Sequence, residues 1–75
     1  MGFGAILMFI ETKSYHSIAS FLLKEQEPLD AYIDVSQICT VIDLEDGLLE
    51  IELKNGFTHY IEYSYTELKR LINNT

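Results

Sequence analysis

The sequence predicts a single α+β domain in which a small antiparallel sheet of three to five strands is covered on one face by a C-terminal helix. Apolar and polar residues alternate through residues 31–62, a pattern typical of half-buried strands. Asp-Gly and Asn-Gly pairs at 46–47 and 55–56 interrupt that alternation where hairpin turns are expected. After residue 64, apolar residues recur at helical spacing. All 75 residues are assigned to one domain, because a chain this short has room for one core.

The first elements are predicted from short apolar segments. Residues 5–11 (AILMFIE) form a continuous apolar run that ends in a charge, which favours a strand over a helix. In residues 17–26, Ile18, Phe21 and Leu22 follow the i, i+3, i+4 spacing of an amphipathic helix. A short helix is therefore predicted there, with a strand in the same segment as the alternative.

The first predicted hairpin centres on Asp46-Gly47. If these two residues form a type I′ turn, Leu44 lies opposite Leu49 and the strands continue pairing from there. This register also places Ile42 opposite Ile51 and Thr40 opposite Leu53. The apolar side chains then lie on one face of the hairpin and the polar side chains on the other.

The second predicted hairpin uses the loop Lys54-Asn55-Gly56. A two-residue loop here would mix apolar and polar side chains on both faces, whereas a three-residue loop with Gly56 at positive φ keeps the faces separate. This register gives the pairs Leu53 with Phe57, Ile51 with His59 and Leu49 with Ile61.

The chain is predicted to end in an amphipathic helix. Ser64 followed three residues later by Glu67 is a capping-box pattern. Lys69 and Arg70 lie in the last turns, where cations complement the helix dipole. The stripe expected to cover the apolar sheet face consists of Tyr65, Leu68, Leu71 and Ile72.

Composition excludes several functional classes. A net charge of −7 and a pI near 4.5 argue against direct binding of nucleic acid. A single cysteine, no metal-type Cys/His spacing and no nucleophile or phosphate-loop motif predict a protein that is not an enzyme and carries no cofactor or metal. The apolar run of residues 3–10 is too short to cross a membrane and no Lys or Arg precedes it, so a cytoplasmic protein without a membrane partner is expected.

Residues 32–72 carry four short motifs, I-D-V-S-Q-I, V-I-D, I-E-L-K-N-G and the Ser-initiated S-Y-T-E-L-K-R-L-I. This part of the chain, roughly half of it, resembles small bacterial proteins of the FlbD-like flagellar type and, more distantly, the LytTR domain. The resemblance implies a small β-sheet capped by one helix and supplies no catalytic residue. The basic loop residues with which LytTR domains bind DNA have no counterpart cluster in this chain.

The hairpin registers predict which residues share the sheet face opposite the helix. Asp43 is expected directly opposite Glu50, and such like-charge pairs are unfavourable in a sheet. A basic surface on a partner protein would relieve this repulsion. The face is predicted to carry Cys39, Val41, Asp43, Leu48, Glu50, Glu52, Thr58, Tyr60 and Glu62. The predicted partner-binding residues are Asp43, Glu50, Glu52, Tyr60 and Glu62, together with Tyr32.

These residues predict a small acidic regulator or inhibitor that docks on a basic partner surface and can imitate the charge of a nucleic acid. The alternatives are a solvated face that serves solubility, and a homo-oligomeric structural or accessory subunit. A metal or small-ligand site at Asp43, Glu50 and Glu62 is the weaker alternative. His59 is expected on the apolar face, and Cys39 is expected to be buried or interfacial rather than nucleophilic.

Overall fold

The structure, a computed structural model, describes residues 8–24 and 26–74. It is an α+β domain, as the sequence predicts, with a five-stranded antiparallel sheet and two helices. A 3-10 turn at Val35–Gln37 links the second strand to the third. The elements are β1 (Phe9–Tyr15), α1 (Ile18–Leu23), β2 (Leu29–Asp34), β3 (Ile38–Asp43), β4 (Leu48–Leu53), β5 (Thr58–Glu62) and α2 (Tyr65–Asn73).

The strand order is β2-β1-β5-β4-β3, so the sheet consists of a β1–β2 ribbon and a β3–β4–β5 meander. The two parts meet where β1 pairs with β5, over only two residue pairs, Ser14 with Ile61 and Tyr15 with Tyr60. We call this short junction the seam. Within the part of the chain that the structure describes, β2 and β3 form the outer edges of the sheet.

One face of the sheet and the helix α2 enclose the hydrophobic core. Leu49, Ile51, Ile61 and Leu68 are completely buried, and Leu68 is the buried residue of α2. The Ser64 side chain caps this helix by accepting a hydrogen bond from the Glu67 amide at 3.2 Å. The predicted C-terminal helix is therefore confirmed, but Tyr65, predicted to belong to its buried stripe, is 39% exposed. Also in the core are Ile10, Ile33 and Val35, with Leu71 and Ile72 packed against it.

The N-terminal strand and helix are both present as predicted, but their first and last residues differ from the prediction. β1 runs on to Tyr15, four residues beyond the predicted end at residue 11, because its polar residues pair with β2 and then with β5. Residues 5–7 of the predicted strand lie outside the described residues. The short helix over 17–26 is confirmed as α1, with Ser17 as its N-cap.

The second hairpin has the predicted register. Ile51 lies opposite His59 and Leu49 opposite Ile61. The Leu53 amide donates to the Phe57 carbonyl at 2.9 Å, which closes a three-residue loop, and Gly56 has a φ of 91°. A side chain at Gly56 would be strained by this backbone conformation, which explains the glycine.

The first hairpin does not have the predicted register. Its loop contains three residues, Glu45, Asp46 and Gly47, all at positive φ, and is closed by the Leu44 amide donating to the Leu48 carbonyl at 3.0 Å. The additional loop residue shifts β3 by one position relative to the prediction. The pairs predicted between Leu44 and Leu49, Ile42 and Ile51, and Thr40 and Leu53 are therefore wrong, and the observed pairs are Asp43 with Leu49, Ile42 with Glu50, Val41 with Ile51 and Thr40 with Glu52.

A bulge at Cys39 then changes the register once more. Ile38 lies opposite Leu53, while Thr40 lies opposite Glu52, so Cys39 is the extra residue. Ile38 and Val41 both pack against the core as a result. Cys39 itself is exposed, so the thiol is not buried, and the other alternative, an interfacial thiol, stays a prediction.

Candidate partner-binding face

The sheet face opposite the core is strongly acidic. Tyr15 lies opposite Tyr60 across the seam, so the outward residues of the ribbon and of the meander belong to one continuous surface. Among the described strand residues on this surface, six are carboxylates and Lys13 is the one cation, already paired with Asp30. We call this surface the acidic face; it carries Glu11, Asp30, Asp34, Glu50, Glu52 and Glu62, together with Phe9, Tyr15, Tyr32 and Tyr60.

Five of the six predicted partner-binding residues lie on the acidic face. Glu52, Glu62 and Tyr32 are exposed, whereas Glu50 and Tyr60 are half-buried. The structure therefore brings these five residues onto one surface: Tyr32 from the ribbon, and Glu50, Glu52, Tyr60 and Glu62 from the meander.

Asp43 is the residue that the structure places elsewhere. It lies opposite Leu49, and its Oδ1 accepts a hydrogen bond from the Glu45 amide at 3.1 Å, which helps shape the first hairpin loop. The predicted placement of Asp43 opposite Glu50, and of Val41 on the outer face, is wrong because the loop is one residue longer than assumed.

Glu50 therefore lies between uncharged neighbours. Ile42 is opposite it on β3 and Tyr60 is opposite it on β5. The expected direct like-charge pair does not form, and the strand pairing places apolar and aromatic side chains between carboxylates. Such a surface combines charge with contact area, two properties that protein interfaces use.

The Tyr15 hydroxyl links the ribbon to the meander by donating a hydrogen bond to the Glu62 Oε1 at 2.8 Å. The Thr12 hydroxyl adds a second link, to the Glu62 carbonyl at 2.9 Å. The hydrogen bond to the Glu62 carboxylate raises the pKa of Tyr15 above its ordinary value near 10, with smaller contributions from burial and from the carboxylate charge. Ionisation would remove the donated proton and place two negative charges together.

We expect the contribution of this hydrogen bond to stability to be complete below pH ~10, the ordinary tyrosine pKa, and to be lost as the pH rises through the higher folded value. In Glu62→Gln, an oxygen acceptor remains but the charge is gone, so the pKa of Tyr15 should fall toward its ordinary value. The pKa of Tyr15 is measured in both proteins by following its Cζ chemical shift by NMR as the pH is raised. Identical titration of Tyr15 in the two proteins would show that Glu62 does not control it.

Besides Tyr32, the ribbon contributes residues to the acidic face that the sequence pattern does not identify. Phe9 and Tyr32 stack with ring centroids 4.7 Å apart and planes 7° apart, and Tyr32 is 67% exposed. The signal for Phe9 and for the carboxylates Glu11, Asp30 and Asp34 is the alternation within β1 and β2. That signal becomes informative only when the pairing of these strands is known.

Within residues 8–24 and 26–74, no group of three or more His, Cys, Asp or Glu side chains could hold a metal ion. The weaker alternative of a metal at Asp43, Glu50 and Glu62 loses its basis, because Asp43 is not opposite Glu50. His59 lies on the core face opposite Ile51, as predicted, and is half-buried.

Neither α1 nor α2, the two helices of the described residues, has the length and apolar character that a membrane crossing requires. No protein-family model, no curated protein and no solved structure matches this chain. The resemblance to FlbD-like and LytTR domains therefore stays a prediction.

Proposed function

We propose that this chain is a small, non-enzymatic cytoplasmic binding protein, a regulator or inhibitor that docks its acidic face on a basic surface of a partner protein. The observation that carries the proposal is the collection of six carboxylates with one paired lysine on a single sheet face. Proteins that present clustered Lys and Arg, including those that bind nucleic acids, are the partner class that fits this charge.

Binding would begin with electrostatic attraction. At physiological salt, charges act over a Debye length of ~8 Å, and complementary charge raises the rate of encounter. The exposed aromatic residues would then bury contact area, with the stacked Phe9 and Tyr32 as the largest exposed group on the face.

A homo-oligomeric subunit is the second candidate, favoured by the edge strand β3. This strand has no further pairing partner among the described residues, and its Ile42 is 45% exposed. Exposed strand edges are ready sites for association. Light scattering at high protein concentration separates the candidates, since a strict monomer excludes this one.

We expect the double substitution Glu50→Lys, Glu52→Lys to weaken binding to a basic partner by at least about tenfold, since two carboxylates become like charges for that partner. The control Glu27→Lys, Glu45→Lys changes net charge by the same amount at exposed positions outside the strands. It should weaken binding by less than about threefold, through long-range charge alone. The partner is first captured from lysate at low salt and identified by mass spectrometry, and its affinity for each purified variant is then measured.

The salt dependence of that affinity provides an independent check. At about 1 M salt the Debye length falls to ~3 Å, so charge-steered binding should weaken strongly. Affinity that does not change with salt, or equal losses in the two double variants, would contradict docking through the acidic face.

A further inference from the structure

The free edge of β2 presents backbone hydrogen-bonding groups. The Val35 amide donates to the Met8 carbonyl at 2.9 Å, one position beyond Phe9 and Asp34, the last residue pair of the β1–β2 ladder, and this bond fixes which pairs of the ladder are hydrogen-bonded. Bonded and non-bonded pairs alternate along an antiparallel ladder. The amides and carbonyls of Asp30, Tyr32 and Asp34 therefore point away from β1, and no other described strand pairs with them.

A groove with a volume of about 290 Å³ lies beside this edge. One wall is formed by residues 31–34, which include side chains from both faces of β2, so the groove follows the strand edge rather than crossing one face. The opposite wall contains Leu53, Asn55 and His59 from the second hairpin. The volume of the groove and its lining residues Ala31, Ile33 and Leu53 suit small apolar side chains of another segment.

Charge argues against a second copy of this chain as the occupant. If two β2 edges paired antiparallel about Tyr32, Asp30 of each copy would lie opposite Asp34 of the other. Like charges directly opposite in a sheet are destabilising, and charged residues on edge strands are a common defence against self-pairing. Asp30 is already paired with Lys13, and one oxygen of Asp34 accepts hydrogen bonds from Ser36. Both carboxylates would still attract a strand that carries a cation at each end, with the cation at Asp30 sharing that carboxylate with Lys13.

We propose that the β2 edge accepts an extended basic segment of the partner protein as a sixth, antiparallel strand. This inference rests on the proposed function and specifies the partner's chemistry: Lys or Arg opposite Asp30 and Asp34, and one residue opposite Tyr32 between them. The two intervening side chains are small and apolar and enter the groove beside Ile33 and Leu53. Added strands of this kind bind through backbone hydrogen bonds, while alternate side chains supply specificity.

The probe is the peptide acetyl-Lys-Val-Thr-Val-Lys-amide, titrated into the ¹⁵N-labelled full chain. We expect shifts concentrated at the amides of Asp30, Tyr32 and Asp34, and an affinity at least about tenfold higher than that of the peptide with Glu in place of both Lys. N-methylation of the peptide's Thr should weaken binding about tenfold, because that amide would face β2. N-methylation of its first Val should have little effect, because that amide would point away.

A matched pair of protein variants tests the edge itself. Tyr32→Val and Tyr32→Pro both remove the aromatic ring, but only Tyr32→Pro removes the outward amide, and a proline with its nitrogen toward solvent is tolerated in an edge strand. We expect Tyr32→Pro to bind the Lys peptide about tenfold more weakly than Tyr32→Val. Should Tyr32→Pro fail to fold, the two N-methylated peptides give the same comparison on the unaltered protein.

Equal binding of the two N-methylated peptides, equal affinities for the Lys and Glu peptides, or dimerisation through β2 would overturn the inference. Shifts confined to Glu50 and Glu52 would also overturn it, while leaving the proposed function in place. Conversely, the Lys peptide could bind at β2 while the protein captures no basic protein in a salt-dependent manner. That result would contradict the proposed function alone.

Discussion

Leu68→Ala should lower the free energy of unfolding by about 3 kcal/mol, because it removes the completely buried side chain of α2 from the core. A domain of this size is expected to have a total stability of about 4–11 kcal/mol. The substitution therefore removes a large fraction of what holds the helix on the sheet. Urea unfolding followed by far-ultraviolet circular dichroism measures the change.

The control is Leu22→Ala, the same substitution in the other helix. Leu22 is 58% exposed, so its truncation removes little buried surface and should change the free energy of unfolding by less than about 0.5 kcal/mol. A similar cost for the two variants would show that α2 does not cover the sheet through Leu68, and that the core extends around α1.

The sequence was sufficient for the elements whose contacts are local. The second hairpin follows from patterning alone, because only a three-residue loop places Ile61 on the same face as Leu49 and Ile51. The final helix follows from Ser64 and the apolar stripe behind it, and the structure shows the expected cap.

The first hairpin was not predictable from the same pattern. Alternation in β3 allows either set of side chains to face inward, since Ile38, Ile42 and Leu44 compete with Val41. The choice is made by the loop, where Glu45 and Asp46 adopt positive φ although neither is glycine. Glu45 and Asp46 are residue types that rarely take this conformation, so the sequence gives no sign of the longer loop and alternation alone places Asp43 on the wrong face.

The pairing of β1 with β2 could not be predicted from the sequence, for a different reason. Residues 16–28 separate the two strands, so no short turn fixes their register. The pairing of Phe9 with Asp34 and of Glu11 with Tyr32 depends on tertiary packing of Ile10 and Ile33 in the core. The part of the acidic face formed by Phe9, Glu11, Tyr15, Asp30 and Asp34 therefore became visible only in the structure.

The placement of charge is consistent with both proposals. Asp30 and Asp34 belong to the acidic face and also border the free edge of β2. The same carboxylates would discourage pairing between copies of this chain and attract a basic strand. A partner could bind the acidic face and the β2 edge together. The acidic face would then attract it electrostatically, and the β2 edge would hold it through backbone hydrogen bonds.

The register of β3 gives the second large expected effect. Val41 lies opposite the buried Ile51 and packs against the core, whereas Ile42 lies opposite Glu50 and is 45% exposed. Val41→Asn should therefore lower the free energy of unfolding by about 2 kcal/mol, the cost of placing an unsatisfied amide against the core. Ile42→Asn should cost less than about 1 kcal/mol, because its amide remains in water.

The two variants form their own control, since both place Asn at adjacent positions of one strand and share its low β propensity. The type I′ register predicted from Asp46-Gly47 reverses the order, because it turns Ile42 inward and Val41 outward. The midpoints of urea unfolding of the two variants decide between the registers, provided that the dependence of the unfolding free energy on urea is the same in both. A larger loss for Ile42→Asn would return Asp43 to the acidic face opposite Glu50 and restore the like-charge pair that the observed register avoids.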